Sequence, residues 1–565
     1  MPRKLILCCL IVLTAGLSYT SSASKEWDQF VSGFIDNHFR FEPVDAVDAG
    51  RHEYDGQLPD WSKESLAKHV SWLKEARKNA LAFDEVSLDV PQRFERQYLL
   101  ARIDGELFWL EDAQGPYRSP MFYSGATSPS TYLTRPYAPL PQRMRAYTEY
   151  AKRIPETIKQ IRANLRTPLA RPHVQVSRRV YGELARYYRN DVPAIFSSVQ
   201  DKKLQGEFRA ANESAAKAME EFASWLESQL KDATNNYALG PELFQKMLMA
   251  TEQVDVPLDR LEEIGKKDLE RNLTMMKEAC ASYAPGSTVE QCVAKVQAKK
   301  PPEGPVRGAR RQLTALKQFV IDSQVVTVPG TEEAGVEEAP PYRRFNAAYI
   351  EIPGPYEKGL PSIYYIAPPD PSWTKEQQAE YIPAETELLA ISVHEVWPGH
   401  FLHFLHANRS KSKFGQIFTG YAFVEGWAHY TEEMMWDVGL GKGDPEVHIG
   451  QIIHALLRNV RYLSAIGLHT KGMTVEESAK MFREKAFKDV GNASQQATRG
   501  TFDPGYLNYT LGKLMIMKLR DDWCASRGGK KAWREFHDAF LSYGGPPIPL
   551  VRKAMLGDSD KASLF

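Results

Sequence analysis

The 565-residue chain is electrically balanced, with 71 Lys and Arg against 71 Asp and Glu. Nucleic acids and anionic membranes favour partners with a basic face, and the chain has no basic excess, so we expect neither as a partner. With 43% hydrophobic and 25% charged residues, it has the composition of a folded globular protein and the length for a large buried core.

The first 24 residues have the pattern of a secretory signal peptide. Two basic residues precede an apolar run at residues 5–17, and small residues at 21–23 form a cleavage site. The run is too short to cross a bilayer comfortably, although a retained N-terminal anchor is the alternative. We therefore predict a signal peptide at residues 1–24, one large domain at residues 25–565, a secreted or periplasmic location, and no stable membrane insertion after signal removal.

Three cysteines lie beyond the signal peptide. Cys280 and Cys292 are separated by a turn-like stretch and could pair in an oxidising compartment. Cys524 would then be the odd one, and we expect it to be buried. The three thiols lack the close spacing of a cysteine zinc site.

Residues 27–316 have a helical pattern. Trp27 and Phe34 recur at helical spacing in one segment, and Phe222 and Leu226 do so in another. Proline and glycine clusters divide the region into hairpins. We predict a mainly α fold in which these stripes form the core.

Residues 324–368 change character. Short β-type runs at residues 324–328, 348–352 and 362–366 are separated by acidic or Pro/Gly-rich loops. We predict a small β-sheet directly before the metal-binding helix. An exposed edge strand could bind an extended peptide by backbone pairing; the alternative is a sheet that only packs the core.

The most informative stretch reads His-Glu-Val-Trp-Pro-Gly-His, from His394 to His400. Two imidazoles, Glu395 beside the first, and a second carboxylate downstream are the parts of a catalytic zinc site. Such a site takes three N or O ligands, keeps one position open for water, and has a carboxylate base nearby. Glu425 is the candidate third ligand, and we predict one Zn²⁺ per chain.

The two histidines are six residues apart, whereas the usual H-E-x-x-H motif separates them by four. On a straight helix this spacing leaves the rings about 120° apart with a rise of about 9 Å. Pro398 cannot donate a hydrogen bond to the carbonyl of His394, and Gly399 accepts unusual backbone angles. We therefore predict that the helix beginning near Pro383 breaks here, and that the chain swings His400 back towards the first ring.

Several polar residues near these motifs have more than one interpretation. His403, one helical turn after the motif, could be a ligand, but core or surface packing is the preferred interpretation. His429 lies four residues after Glu425 on the same helical face and could also reach a metal. We expect Glu432 and Glu433 to form a solvated face.

Four motifs together resemble a known bacterial family. They are His-Glu-x-x-Pro-Gly-His from His394, Glu-Gly-Trp-Ala from Glu425, Gly-Leu-His ending at His469, and Pro-Gly-Tyr from Pro504 followed by Tyr509. The family is domain of unknown function 885, and it resembles the helical zinc peptidases, such as angiotensin-converting enzyme, thimet oligopeptidase and Taq carboxypeptidase. The resemblance covers nearly the whole chain after the signal, and it implies a two-lobed, zincin-like helical fold with a deep channel.

The resemblance also implies roles for single residues. By motif match, the two histidines of the first motif and Glu425 are the zinc ligands, and Glu395 is the general base. In the related peptidases a His and a Tyr donate hydrogen bonds to the oxyanion of the tetrahedral intermediate. This implies catalytic roles for His469 and Tyr509, with Tyr506 in reserve.

A later segment places His454, Arg458 and Arg461 on one helical face. If that face lines the channel, an arginine could bind a substrate carboxylate through two hydrogen bonds. Otherwise the arginines are ordinary salt-bridge partners, which is the preferred interpretation.

We predict a secreted zinc metallopeptidase that hydrolyses short peptides, with Glu395 taking a proton from the metal-activated water. One alternative is a zinc amidohydrolase or esterase acting on a non-peptide substrate. Another is a non-catalytic periplasmic binding protein with a degenerate site. The sequence does not separate carboxypeptidase from oligopeptidase activity, and it leaves the oligomeric state open.

Overall fold

The computed structural model describes residues 22–344, 347–557 and 563–565. Residues 1–21 of the predicted signal peptide therefore lie outside the described residues. The fold is mainly helical with one small three-stranded sheet, as predicted. Of the helices in these described ranges, none has both the length and the apolar run that crossing a bilayer requires.

The region before the sheet is a succession of helices, which confirms the helical pattern of residues 27–316. Trp27 on the first helix and Phe222 on the tenth are buried, as their periodic spacing predicted. The α-helices are α1 (Ser22–Phe41), α2 (Pro43–Ala49), α3 (Lys63–Ala82), α4 (Val90–Leu107), α5 (Gly115–Arg118), α6 (Ser130–Thr134), α7 (Leu140–Asn164), α8 (Arg171–Asn190), α9 (Val192–Ile195), α10 (Lys202–Gln229), α11 (Pro241–Glu252), α12 (Leu258–Tyr283), α13 (Val289–Gln297) and α14 (Pro305–Ser323).

The sheet comprises β1 (Ala334–Glu338), β2 (Ala348–Glu351) and β3 (Ser362–Ile366) in the order β1-β3-β2. β1 pairs in parallel with β3, and β2 pairs antiparallel with β3. β2 and β3 confirm two of the three predicted strands. β1 arises instead from an acidic stretch in which only one side chain is buried.

The predicted strand at residues 324–328 is wrong, because this segment is a loop between α14 and β1. Its backbone groups are satisfied by side chains of a later helix rather than by a neighbouring strand. The carbonyl of Val325 accepts a hydrogen bond from Nδ1 of His537 at 2.7 Å. The N–H of Thr327 donates to Asp538 at 2.8 Å. The apolar run is buried against helices, which its composition alone did not distinguish from a strand.

The region after the sheet is again helical and carries the candidate site on α16, α17, α19 and α20. The helix predicted to begin near residue 383 begins within two residues of that position. The α-helices are α15 (Lys375–Tyr381), α16 (Glu385–Glu395), α17 (His400–Ala407), α18 (Lys413–Ile417), α19 (Tyr421–Asp437), α20 (Pro445–Thr470), α21 (Val475–Ala486), α22 (Val490–Phe502), α23 (Asn508–Ala525), α24 (Trp533–Ser542) and α25 (Ile548–Leu556).

Residues from two large hydrophobic cores contribute to the lining of a deep cavity. One core contains side chains of α7, α8 and α10, and the other contains side chains of α16, α17, α19 and α20. The cavity has a volume of about 2440 Å³ and is lined by residues of both groups, including Val180 on α8 and His394 on α16. The cavity, which is lined by helices from before and after the sheet, corresponds to the channel expected of a two-lobed fold.

The cysteines behave as the sequence suggested. Cys280 at the end of α12 and Cys292 on α13 form a disulfide, with their Cα atoms 5.8 Å apart. Cys524 is free and buried. The bond closes the turn between two helices of the larger core.

Candidate metal centre

α16 ends and α17 begins on either side of the Pro-Gly pair, so the predicted helix break is confirmed. The Trp397–Pro398 peptide is cis, and the N–H of Gly399 donates to the carbonyl of Val393 at 2.9 Å. A Cβ atom on Gly399 would lie 1.7 Å from the carbonyl oxygen of His394. Only glycine allows the chain to pass this close to the end of α16.

The break brings both imidazoles to one carboxylate of α19. Nε2 of His394 and Nε2 of His400 each lie 3.3 Å from Oε2 of Glu425. One ligand atom from each residue lies within 4.8 Å of the other two. The two rings are nearly perpendicular, with centroids 4.8 Å apart. The histidines are buried, and Glu425 is partly exposed towards the cavity.

These three residues fit a divalent metal ion. Oε2 of Glu425 is buried and receives no hydrogen bond from any described residue. A buried carboxylate oxygen without a donor is costly, and a cation between it and the two imidazoles would remove that cost. Two imidazole nitrogens and one carboxylate are also the ligand set of many catalytic zinc sites. In the described ranges, no other group of three or more His, Cys, Asp and Glu residues brings its ligand atoms this close together.

Behind the cluster, Glu432 contacts the ring nitrogen of His394 that points away from the other two candidate ligands. Nδ1 of His394 donates to Oε1 of Glu432 at 2.7 Å, and Arg458 pairs with the same oxygen at 3.2 Å. A carboxylate in this position fixes the tautomer and orientation of a metal-binding imidazole. The expectation that Glu432 is solvated is wrong, since its side chain is fully buried. Its spacing of seven residues from Glu425, two helical turns, was the overlooked signal.

Glu433 is also buried, so the solvated face predicted for it is wrong as well. Both of its carboxylate oxygens pair with Arg271, at 2.5 and 2.9 Å, and it pairs with the buried Lys513 at 2.5 Å. α19 is enclosed by other elements around most of its surface. Its charged residues therefore need internal partners.

The other two histidines near the motifs do not join the cluster. His403 approaches the carbonyl of Gly544 with Nε2 at 2.5 Å, which confirms the packing interpretation. His429 lies with Nδ1 3.4 Å from Glu432. Both are therefore neighbours of the site and not members of the ligand set.

Glu395, the predicted general base, is buried and lines the cavity beside the cluster. Burial raises its pKa, although the nearby His400 and His394 partly oppose this. Burial also disfavours the charged form of Glu425, but the same two imidazoles outweigh it and hold the pKa of Glu425 well below its usual range. The pKa of Glu395 is thus raised while that of Glu425 is lowered. This difference suits Glu395 to act as a base and Glu425 to act as an ionised ligand.

Tyr509 is brought to the site. It lines the cavity, and its ring centroid lies 6.2 Å from that of His394 in a stacked arrangement. Its hydroxyl accepts a hydrogen bond from Arg499 at 3.5 Å. A phenol held here can donate to an oxygen in the cavity.

His469 is not brought to the site, which corrects the role that the resemblance implied. Its Nε2 bonds the carbonyl of Gly500 at 2.7 Å, and its Nδ1 accepts from the N–H of Leu239 at 3.3 Å. It lies eight residues beyond Arg461 on α20, roughly 12 Å along the helix and past the face that lines the cavity. Tyr506 is fully buried and also does not line the cavity.

The cavity face of α20 carries His454, Arg458 and Arg461. Arg458 donates to Nδ1 of His454 at 2.6 Å in addition to its pairing with Glu432. Arg461 donates from Nε to the side-chain oxygen of Gln496 at 2.8 Å. The preferred salt-bridge interpretation is therefore confirmed for Arg458 and wrong for Arg461.

Residues of the sheet also line the cavity. β2 is an edge strand, and Ala348, Tyr349 and Ile350 are among the residues that line the cavity. An extended chain in the cavity would therefore lie near an edge strand of the sheet.

Two solved structures share this fold. One is a candidate lipoprotein of unknown function from Shewanella oneidensis, with a TM-score of 0.77 and 23% identity, covering 94% of this chain and 99% of its own. The other is a candidate lipoprotein from Colwellia psychrerythraea, with a TM-score of 0.77 and 17% identity, covering 95% of this chain and 99% of its own. At these identities the likeness shows the fold alone.

No curated protein matches the chain. The model of a bacterial family of proteins of unknown function, DUF885, matches residues 43–555, which include both motifs that supply the candidate ligands and the cavity-lining face of α20. The chain belongs to this family.

Proposed function

We propose that the protein is a zinc-dependent metallopeptidase that hydrolyses short peptides. The observation that carries the proposal is the convergence of ligand atoms from His394, His400 and Glu425 within 4.8 Å, beside the buried Glu395. Zinc held by these three residues would supply Lewis acidity that polarises a carbonyl and acidifies water.

Glu395 acts as the general base in this proposal. It takes a proton from the attacking water and passes it to the leaving amine. Its raised pKa brings the carboxyl closer to the pH at which it both accepts and returns a proton. Tyr509 donates a hydrogen bond to the oxygen on which negative charge develops, a contact worth about 10²–10³ in rate in other hydrolases.

A peptide substrate is favoured by the walls of the cavity. The edge of β2 offers backbone hydrogen-bonding groups, which an extended peptide can pair with whatever its side chains. A cluster set in a deep cavity is reached more easily by short, flexible chains than by folded proteins. We also propose a secreted or periplasmic location, supported by the signal-like N-terminal pattern and by the Cys280–Cys292 disulfide.

The test joins metal analysis with one substitution. We expect purified protein to hold one zinc ion per chain and to cleave members of a mixed peptide pool, with the products mapped by mass spectrometry and cleavage abolished by a chelator. Glu395→Gln should retain zinc while kcat falls about 10²–10⁴-fold. An unchanged kcat in Glu395→Gln would show that Glu395 is not the general base. Hydrolysis confined to esters or non-peptide amides would replace the peptidase with the amidohydrolase alternative.

A further inference from the structure

One charged group in the cavity has no partner of opposite charge among the described residues. Arg461 is only 7% exposed, and its guanidinium lies 4.7 Å from the centre of the Tyr509 ring. Its Nε donates to Gln496, and its two terminal nitrogens bond no residue of the described chain. Burial lowers the pKa of this arginine, and its cationic neighbours add to that effect.

Two other arginines lie against the same tyrosine ring, and both are neutralised. Arg458 pairs with Glu432 at 3.2 Å, and Arg499 pairs with Asp503 at 2.8 Å. Arg461 makes no such pair with any described residue, although it lines the same cavity. A buried, unpaired guanidinium is costly, and a planar carboxylate entering the cavity would remove the cost through two hydrogen bonds.

We propose that Arg461 binds the free α-carboxylate at the C-terminal end of the substrate, so that the enzyme cleaves near the C-terminus rather than internally. The inference rests on the proposed function. The Tyr509 ring connects the two groups, since it lies 6.2 Å from the His394 ring and 4.7 Å from the Arg461 guanidinium. An extended residue spans about 3.3–3.6 Å, so the carboxylate would sit roughly one to three residues beyond the scissile bond.

The competing interpretation is that Arg461 only packs on Tyr509. A cation over an aromatic face is stabilising by itself. In that case removing the arginine would disturb the tyrosine and slow turnover equally for every substrate. Discrimination between a free carboxylate and an uncharged C-terminus separates the two interpretations.

The first experiment measures binding to metal-free protein, so that it does not depend on catalysis. A short peptide and its C-terminal amide are titrated calorimetrically into the wild type, Arg461→Gln and Arg461→Lys. The control is Arg178→Gln, because Arg178 also lines the cavity but pairs with Glu227 at 2.7 Å. We expect the wild type and Arg178→Gln to bind the acid about tenfold or more tightly than the amide, Arg461→Lys to keep part of this preference, and Arg461→Gln to lose it.

Equal binding of acid and amide by the wild type would overturn the proposal, as would a preference that survives in Arg461→Gln or no binding of either peptide. If the protein prefers the acid but the zinc-loaded form cleaves no peptide, the proposed binding of a carboxylate by Arg461 would be supported and the proposed peptidase function would be wrong.

The second experiment compares hydrolysis of the same two peptides by zinc-loaded protein. We expect release of C-terminal fragments, and we expect Arg461→Gln to raise the KM for the acid about 30-fold or more, with a smaller change in kcat. Internal cleavage of acids and amides at equal rates would contradict the proposed binding of the α-carboxylate by Arg461 but would support the peptidase function. An equal loss of kcat on both peptides would assign Arg461 to packing and would also contradict that binding.

Discussion

At the scale of single residues, Glu432 fixes the orientation in which His394 would bind a metal ion. Its carboxylate accepts a hydrogen bond from Nδ1 of His394, with the two atoms 2.7 Å apart, which leaves Nε2 to face the cluster. Arg458 pairs with the same oxygen of Glu432 at 3.2 Å and favours the ionised form of this carboxylate. The pKa of Glu432 accordingly lies well below its usual range, although burial alone would raise it.

We expect Glu432→Gln to weaken zinc binding about 10–100-fold, because the neutral amide no longer orients and polarises the imidazole. The measurement is competition against a chelating dye at fixed pH. Glu484→Gln is the matched control, since Glu484 also lines the cavity but pairs with the exposed Lys480. Equal zinc affinity in the two variants would contradict this role for Glu432.

The sequence predicted residues best where the motif itself carries the geometry. The Pro-Gly interruption and the downstream Glu425 were sufficient to predict a cluster that the structure brings together. Glu432 was missed because a run of charged residues looks solvated unless the helix is known to be enclosed. His469 was misplaced because a motif match does not say which face of a long helix reaches the cavity.

At the scale of elements, the junction of α16 and α17 depends on the missing side chain of Gly399. We expect Gly399→Ala to destabilise the fold by about 1–3 kcal/mol or more and to lower zinc content, because the new Cβ meets backbone atoms that cannot move aside. Urea unfolding and metal analysis measure the two effects. Gly206→Ala in α10, where a Cβ meets nothing within 4 Å, should instead be stabilising by roughly 0.5–1 kcal/mol. Similar losses in both variants would argue against the close-approach explanation.

The start of α19 is held by Glu252, a residue from α11. Its carboxylate accepts from the N–H of Ala422 at 3.2 Å and from Asn508 at 3.1 Å. Burial raises its pKa to about 8, above the value of about 4.3 in an unfolded chain. The folded state therefore binds this proton more tightly, and the associated stability is present below about pH 4 and is lost as the pH rises through about 8.

We expect the wild type to lose stability relative to Glu252→Gln as the pH rises from 5 to 8.5. The amide keeps an acceptor for Ala422 but has no proton to lose. Urea unfolding of both proteins at the two pH values measures the difference. A difference that does not change with pH would show that Glu252 does not titrate in this range.

At the scale of the whole molecule, the candidate ligands tie three helices of the larger core together. α16, α17 and α19 each supply one of them. A metal ion that binds only the folded state should add about 2.7 kcal/mol of stability at a free concentration 100 times its Kd. We therefore expect chelation to lower the melting temperature of the wild type and to leave that of Glu425→Ala unchanged. A wild-type melting temperature that changes with neither zinc nor chelator would contradict metal binding at this site.

The helical class of the molecule could be predicted because amphipathic periodicity is a local signal. The sheet was harder, since β1 buries only Val336 and its pairing with β3 joins distant parts of the chain. The apolar residues 324–328 looked more strand-like than β1, yet they are covered by helices. Tertiary packing decided between these two segments, and local propensity could not.

Trp427 gives α19 a second function in the site. Its indole N–H donates to the carbonyl of Pro398 at 2.9 Å, and it lies two residues after Glu425 on the same helix. α19 therefore contributes one candidate ligand, Glu425, and also holds the break between α16 and α17, which sets the distance between the other two candidate ligands. A displacement of α19 would move all three candidate ligands, so states of the protein with only two of them in place would be scarce. We therefore expect zinc to bind to all three residues in a single step.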